Sequence, residues 1–172
     1  MSGLIPWFER IFKFDVPEGT FPNIIERVRG TPARLEERLR GLSQGVLTRK
    51  EAGAWSIQEN AGHLLDLETL WAARVEDFIQ GRERLQTADL TNRKTDEARH
   101  NDSPLVGILF SFRQARSGLV SRLEEMEPAT FSKTALHPRL TIPMRLIDHV
   151  LFVAEHDDHH LARISILIRS FA

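Results

Sequence analysis

From Thr141 to Arg169 apolar residues recur at helical spacing without a break. A helix of that length gains little stability alone in water and needs partner helices to bury its stripe. The stripe runs Ile142, Leu146, His149, Val153, His156, His160, Ile164 and Leu167. Histidine stands at three positions where a purely structural stripe carries leucine. His156 and His160 are four residues apart and share a face. Two imidazoles so placed can chelate one metal ion, and a third ligand must come from elsewhere. His159 points off the stripe, beside Phe152 and Arg163. Taken alone, the pair reads equally well as ordinary core or polar histidines. The pattern also brushes the H-E-x-x-H metalloprotease motif, but Asp157 stands where that motif has Glu and is one methylene too short.

Three further segments can supply the partners. The first runs from about Phe21 to Leu42, with Pro22 in its first turn and Ile24, Ile25, Val28, Leu35 and Leu39 on one side. Gly30-Thr31-Pro32 interrupts it and predicts a kink, or a second helix capped by Thr31. The second begins at Ser56-Ile57-Gln58-Glu59, a capping box, and stops near Gly81. Its stripe includes Ala61, Leu64, Trp71, Val75 and Phe78, with His63 at the edge. The third starts at Ser103-Pro104, a cap followed by proline, carries Leu105, Ile108, Phe112, Leu119 and Leu123, and ends at Glu127-Pro128. The fourth is the histidine segment, with Thr141 as cap and Pro143 in its first turn. Between them lie polar connections at Ser43–Ala54, Arg84–Asp102 and Phe131–Leu140. Arg84–Asp102 is long enough for function or mobility and reads as a surface loop with one helical turn. No segment is β-rich. The expectation is an all-α single domain over 1–172, a four-helix bundle.

Two charges break the apolar stripes. Glu68 sits mid-face on the second helix and Arg116 mid-face on the third. An unpaired charge in a core costs several kcal/mol, so the two are expected to meet. Arg113 is an alternative partner, and either side chain can instead snorkel to solvent. Arg116 is also a candidate for binding an anionic group of a substrate. The N-terminal arm, residues 1–20, is rich in Leu4, Ile5, Trp7, Phe8, Ile11, Phe12 and Phe14. It lacks the clean apolar core and cleavage site of a signal peptide. Packing on the bundle is the plainer expectation and a dimer contact the sharper one.

Composition narrows the function. Net charge is −1, so there is no electrostatic footprint for nucleic acid or anionic lipid. Cysteine is absent, which excludes disulfides, thiolate metal sites and a protein thiol nucleophile, and fits a cytoplasmic protein. No stretch approaches the roughly 20 apolar residues of a membrane span.

Two stretches carry a resemblance. Trp55-Ser56-Ile57-Gln58-Glu59-Asn60-Ala61-Gly62-His63-Leu64 is similar to the W-S-x-x-E-x-x-x-H-L signature of the DinB/YfiT-like superfamily. Glu155-His156-Asp157-Asp158-His159-His160-Leu161-Ala162-Arg163-Ile164 is similar to its C-terminal E-H-x-x-H-H-x-x-x-I signature. They fall in the family's order, and the resemblance spans roughly Phe21 to Ile168. It implies a four-helix bundle holding a divalent metal, often nickel or zinc, on three histidines, here His63, His156 and His160. His149 or His159 is the rival third ligand. It also implies a homodimer and, for the characterised enzymes, a low-molecular-weight thiol co-substrate: S-transferases and a mycothiol-dependent isomerase. Three neutral imidazoles leave an open coordination position, the catalytic style of site, which can activate a thiol or a water. The expected function is therefore a metal-dependent thiol S-transferase on a small-molecule electrophile. A hydrolase and a non-catalytic binding bundle are the alternatives. His149, Asp157 and His137 are candidate proton-transfer groups. Asp157, Asp158 and Glu59 are expected to orient the histidines.

Overall fold

The structure is a computed structural model and describes residues 3–171. Four long helices carry the fold: α1 (Phe21–Leu39), α3 (Ile57–Ile79), α5 (Leu105–Glu124) and α6 (Leu146–Phe171). Two short helices, α2 (Gln44–Leu47) and α4 (Arg93–Glu97), lie in the connections. β1 (Thr134–Leu136) and β2 (Pro143–Arg145) pair antiparallel, with Ala135 opposite Met144.

The principal packings are α1 on α5 and α6, and α3 on α5 and α6. The apolar core falls into two layers. One joins Ile24 and Val28 of α1 to Val75 and Phe78 of α3, Leu119 and Leu123 of α5, and Ile147 and Val153 of α6. The other joins Leu35 and Leu39 to Ile57 and Leu64, Ile108 and Phe112, and Leu161 and Ile164. The starts of α1 and α6 thus share a layer with the ends of α3 and α5. So α1 and α6 run one way, and α3 and α5 the other. Because α3 and its successor α5 are parallel, the chain must travel back along the bundle between them, and residues 80–104 are long for that reason.

Between the two apolar layers lies a polar one, to which each long helix gives a residue: Thr31, Glu68, Arg116 and Asp157, all buried. Arg116 Nη2 donates to Glu68 Oε1 at 2.6 Å and to Asp157 Oδ1 at 3.1 Å, and Nη1 also bonds Asp157. Thr31 Oγ1 lies 2.7 Å from Asp157 Oδ2. The expected meeting of Glu68 and Arg116 is therefore present, and Asp157 joins it. With Arg116 only 1% exposed and Glu68 4%, neither snorkels. Burial pushes the Glu68 carboxyl up; Arg116 opposes that rise and Asp157 adds to it. Arg113, one turn away, instead forms an exposed pair with Glu36.

Several boundaries differ from expectation. Pro32 does not split α1. It has no N–H for the Val28 carbonyl four residues back, and Arg116 Nη1 donates to that oxygen instead, at 3.0 Å. The last helix starts at Leu146, not Thr141. Pro143–Arg145 is taken up by β2, Thr141 sits in the left-handed turn of the hairpin at φ 55°, and Asp148 receives the Arg145 N–H at the helix start. Ser103 makes no cap; Pro104 occupies that position. The capping box of α3 forms as read, with Ser56 Oγ accepting from the Glu59 N–H and Glu59 from the Ser56 N–H. Arg84–Asp102 is not merely a surface loop, since Leu85, Thr95 and His100 are buried. The arm packs Trp7, Phe12 and Phe14 on the core and is held by Arg10 on Glu155.

Candidate metal centre and its cavity

His63 comes from the N-terminal half of α3, and His156 and His160 from successive turns of α6. These helices are antiparallel neighbours, and one ring nitrogen from each of the three residues lies within 4.8 Å of the others. Ring centroids are 4.5 Å apart for His156 and His160, 4.7 Å for His63 and His160, and 5.3 Å for His63 and His156. All three side chains are buried. Burial is the main cause that lowers their basicity, to about 4 for His63 and well below the ordinary value for His156 and His160. They are neutral at neutral pH.

Hydrogen bonds fix two tautomers. Thr95 Oγ1 lies 2.9 Å from Asp66 Oδ2 and 2.9 Å from His63 Nδ1. A hydroxyl has one proton to give, and an ionised carboxylate can only accept, so Thr95 donates to Asp66 and accepts from His63. His63 is therefore protonated on Nδ1 and keeps its Nε2 lone pair. Asn60 Nδ2 donates to the carbonyls of Ser56 and Trp55, at 2.8 and 3.3 Å, which leaves its Oδ1 to accept from His160 Nδ1 at 2.9 Å. His160 likewise keeps its Nε2 lone pair. His156 Nδ1 is buried without a hydrogen-bond partner among the described residues.

Asp66 is itself braced by His100 Nε2 at 2.8 Å. Burial pushes the Asp66 carboxyl up, but bonds from His100 and Thr95 outweigh it and hold it below the usual range. Gly62 makes room for this brace: a Cβ there would lie 2.2 Å from His100 Cγ. That explains a glycine inside a helix, where alanine is otherwise favoured by roughly 1 kcal/mol. The groups orienting the histidines are thus Asn60 and Thr95. Asp157 is committed to Arg116, Asp158 to Arg27 and Arg34, and Glu59 to the α3 cap and Lys50.

The three histidines border a cavity of about 470 Å³. Trp7, Phe8, Trp55, Leu70, Trp71 and Phe152 supply its apolar wall. The arm thereby becomes part of the site, a role the sequence reading did not give it. His137 and His159 also line the cavity, but neither belongs to the three-histidine group. His137 accepts from Arg74 at its Nε2, at 3.1 Å, and its basicity is lowered to about 3 by burial and by Arg74 and Arg139. His149 lies elsewhere, between the Trp71 and Phe78 rings, with both nitrogens buried and unbonded among the described residues. Arg116 does not line this cavity.

A family model described as "DinB superfamily" matches residues 27–164. The chain belongs to the DinB superfamily. Among solved structures, YfiT from Bacillus subtilis is similar with a TM-score of 0.81 and 17% identity, covering 94% of this chain and 93% of YfiT. It is described as a probable metal-dependent hydrolase with an unusual four-helix bundle topology. A mycothiol-dependent maleylpyruvate isomerase is similar with a TM-score of 0.68 and 10% identity, covering 88% of this chain and 62% of the isomerase. At these identities both establish the fold alone. No curated protein matches by sequence. Within the DinB superfamily bundle, then, this chain carries a buried three-histidine group at the edge of an aromatic cavity. Among the described residues no helix is long and apolar enough to cross a membrane.

Proposed function

We propose that this DinB superfamily protein is a metal-dependent enzyme. In this reading His63, His156 and His160 hold one divalent ion, zinc or nickel, with at least one position open to the cavity. The observation that carries it is the pair of fixed tautomers. Thr95 and Asn60 take the Nδ1 protons of His63 and His160 and leave a lone pair on each Nε2. Oriented neutral imidazoles are what a cation requires, and an acceptor on the second ring nitrogen, here the Thr95 hydroxyl and the Asn60 carboxamide oxygen, fixes tautomer and ring orientation. An ion so held would supply a Lewis-acidic position that lowers the pKa of a bound thiol or water, whose proton is released to solvent.

The chain's own residues do the rest. Trp7, Trp55, Trp71 and Phe152 exclude bulk water and bind an apolar body, and the volume suits a small organic substrate. We favour transfer of a low-molecular-weight thiol to a small electrophile, on the strength of the family resemblance carried by the motifs around His63 and His156–His160. Hydrolysis is the second reading, favoured by the description of YfiT. A homodimer belongs to the same proposal; exposed Val106 (74%) and Phe110 (63%) on α5 give it an apolar patch.

The test has two stages. Elemental analysis of the purified protein should find about one divalent ion per chain, and His63→Ala should lose it; full occupancy in that variant overturns the site. Product analysis with a panel of thiols and electrophiles, with metal present and absent, then separates transferase from hydrolase.

A further inference from the structure

Arg74 is 2% exposed and lines the cavity, yet no carboxylate lies within 4.0 Å of its guanidinium among the described residues. Its Nε donates to the Gln86 carbonyl at 2.9 Å and its Nη1 to neutral His137. Asp77, three residues on in α3, raises the Arg74 basicity but is itself used by the Gln86 N–H at 2.7 Å and by Arg82. Arg139 lines the same wall and forms no ion pair among the described residues. Its guanidinium rests against the rings of Phe8, Phe152 and Trp7, at 5.3, 5.8 and 5.9 Å, and its Nη2 is buried without a hydrogen-bond partner. Asp89, the cavity's one acid, is occupied by the Thr91 hydroxyl and the amides of Thr91 and Arg93.

The contrast with Arg116 is direct, since that arginine is equally buried and meets two carboxylates. A buried cation with no carboxylate in contact is costly and is a sign of a binding role. Burial lowers the basicity of Arg74 to about 10, which leaves it charged at neutral pH.

We infer that Arg74 and Arg139 form a subsite for the carboxylate of an apolar-bodied substrate whose reacting end lies at the three histidines. The spacing sets the ligand's length. His63, Leu67, Leu70, Trp71 and Arg74 line the cavity along one face of α3. Distances from the Trp71 ring bound the separation of the Arg74 guanidinium from the His156 ring at about 11 Å. The Trp71 ring lies between the two ends, 5.5 Å from the His156 ring and 5.6 Å from the Arg74 guanidinium. The fitting molecule is elongated: an aromatic or acyl middle on Trp71 and Trp7, and one carboxylate at the far end. Arg is suited to that end because its fork can receive a carboxylate with two bonds.

This inference rests on reading the cavity as a substrate site. All three tryptophans of the chain line it, so intrinsic fluorescence reports binding. The probes are a series of ω-phenylalkanoates of increasing length, their neutral amides, and inorganic phosphate, each titrated into the full chain. A phenylalkanoate should change the fluorescence saturably, with its amide at least tenfold weaker and phosphate weaker still. Arg74→Met and Arg139→Met should each weaken the acid at least tenfold and leave the amide unchanged. Arg139→Met is decisive, because among the described residues no hydrogen bond depends on that side chain, whereas Arg74 supports Gln86 and His137. His63→Ala should retain carboxylate binding, so failure of the metal reading and failure of this one are distinguishable. Equal binding of acid and amide, phosphate binding as tight as the acid, or parent affinity in Arg139→Met overturns the subsite.

Discussion

His156 and Asp157 are adjacent in sequence and serve two polar regions that obey opposite rules. Asp157 faces a closed cluster, where Arg116, Glu68, Thr31 and the Val28 carbonyl satisfy one another between the apolar layers. His156 faces an open one, where the three neutral imidazoles and the arginines Arg74, Arg139 and Arg163 border a cavity, and His156 Nδ1 and Arg139 Nη2 are without a hydrogen-bond partner among the described residues. The three histidines and Arg74 are buried, as are the side chains of the closed cluster. What differs is whether the chain supplies its own partners. A self-satisfied cluster orders the core, and an unsatisfied one waits for a ligand.

The largest expected effect breaks the closed cluster. Arg116→Met leaves Glu68 and Asp157 buried without a cation and should cost about 3–5 kcal/mol in denaturant unfolding. Combining it with Glu68→Gln should cost less than the sum of the two single changes. Strict additivity would show that the residues do not act as a pair.

The open region should respond in the reverse sense. Asn60→Ala and Thr95→Val release the His160 and His63 rings and should weaken metal binding by roughly 10–100-fold. Competition with a chelator measures this; unchanged affinity in both would remove the tautomer argument.

Acid offers a milder separation. In the metal-free protein the His63 and His137 rings are neutral when folded, lowered to about 4 and about 3 by burial, against about 6.5 unfolded. Their contribution to stability is therefore complete above pH 6.5 and is lost progressively as pH falls toward 4 and below. Glu68 has the opposite sign, since its carboxyl is raised, so mild acid does not weaken it. A metal-free stability that stays flat from pH 6.5 to 4.5 would contradict the histidine assignment.

The smallest effect is a control one helical turn from the first. Arg113→Ala removes an exposed pair whose partners are 46% and 36% accessible, and should cost no more than about 1 kcal/mol.

Features written in neighbouring residues were legible in the sequence. The α3 capping box needs only Ser56 and Glu59, and the i, i+4 spacing of His156 and His160 needs only a helix. The Glu68–Arg116 pairing was legible because charges in apolar stripes have few places to go. Features that depend on a return path were not. Thr95 and His100 lie in a polar connector without a stripe, and nothing local marks them as props for His63. The clue lay in length, since a connector that long had to run back along the bundle. The start of α6 was misplaced because Thr141 and Pro143 suit a helix start and a hairpin equally, and pairing with Thr134–Leu136 decided between them. Asn60 was within reach, sitting in the motif one turn before His63, but its role requires the position of α6.

Pro32 ties the fate of one helix to the chemistry of another. Replacing a mid-helix proline usually strengthens a helix, by about 3 kcal/mol on intrinsic propensity. Here an amide at position 32 would share the Val28 carbonyl with Arg116 and weaken the bond that now has that oxygen to itself. Part of the gain in α1 would return as a loss in the charged layer. Substitution at either position thus changes what is tolerated at the other, although they are far apart in sequence. In a lineage of such proteins the two sites should change together, and the order of the changes should matter: losing the arginine first frees the proline to go, while losing the proline first leaves the arginine contested.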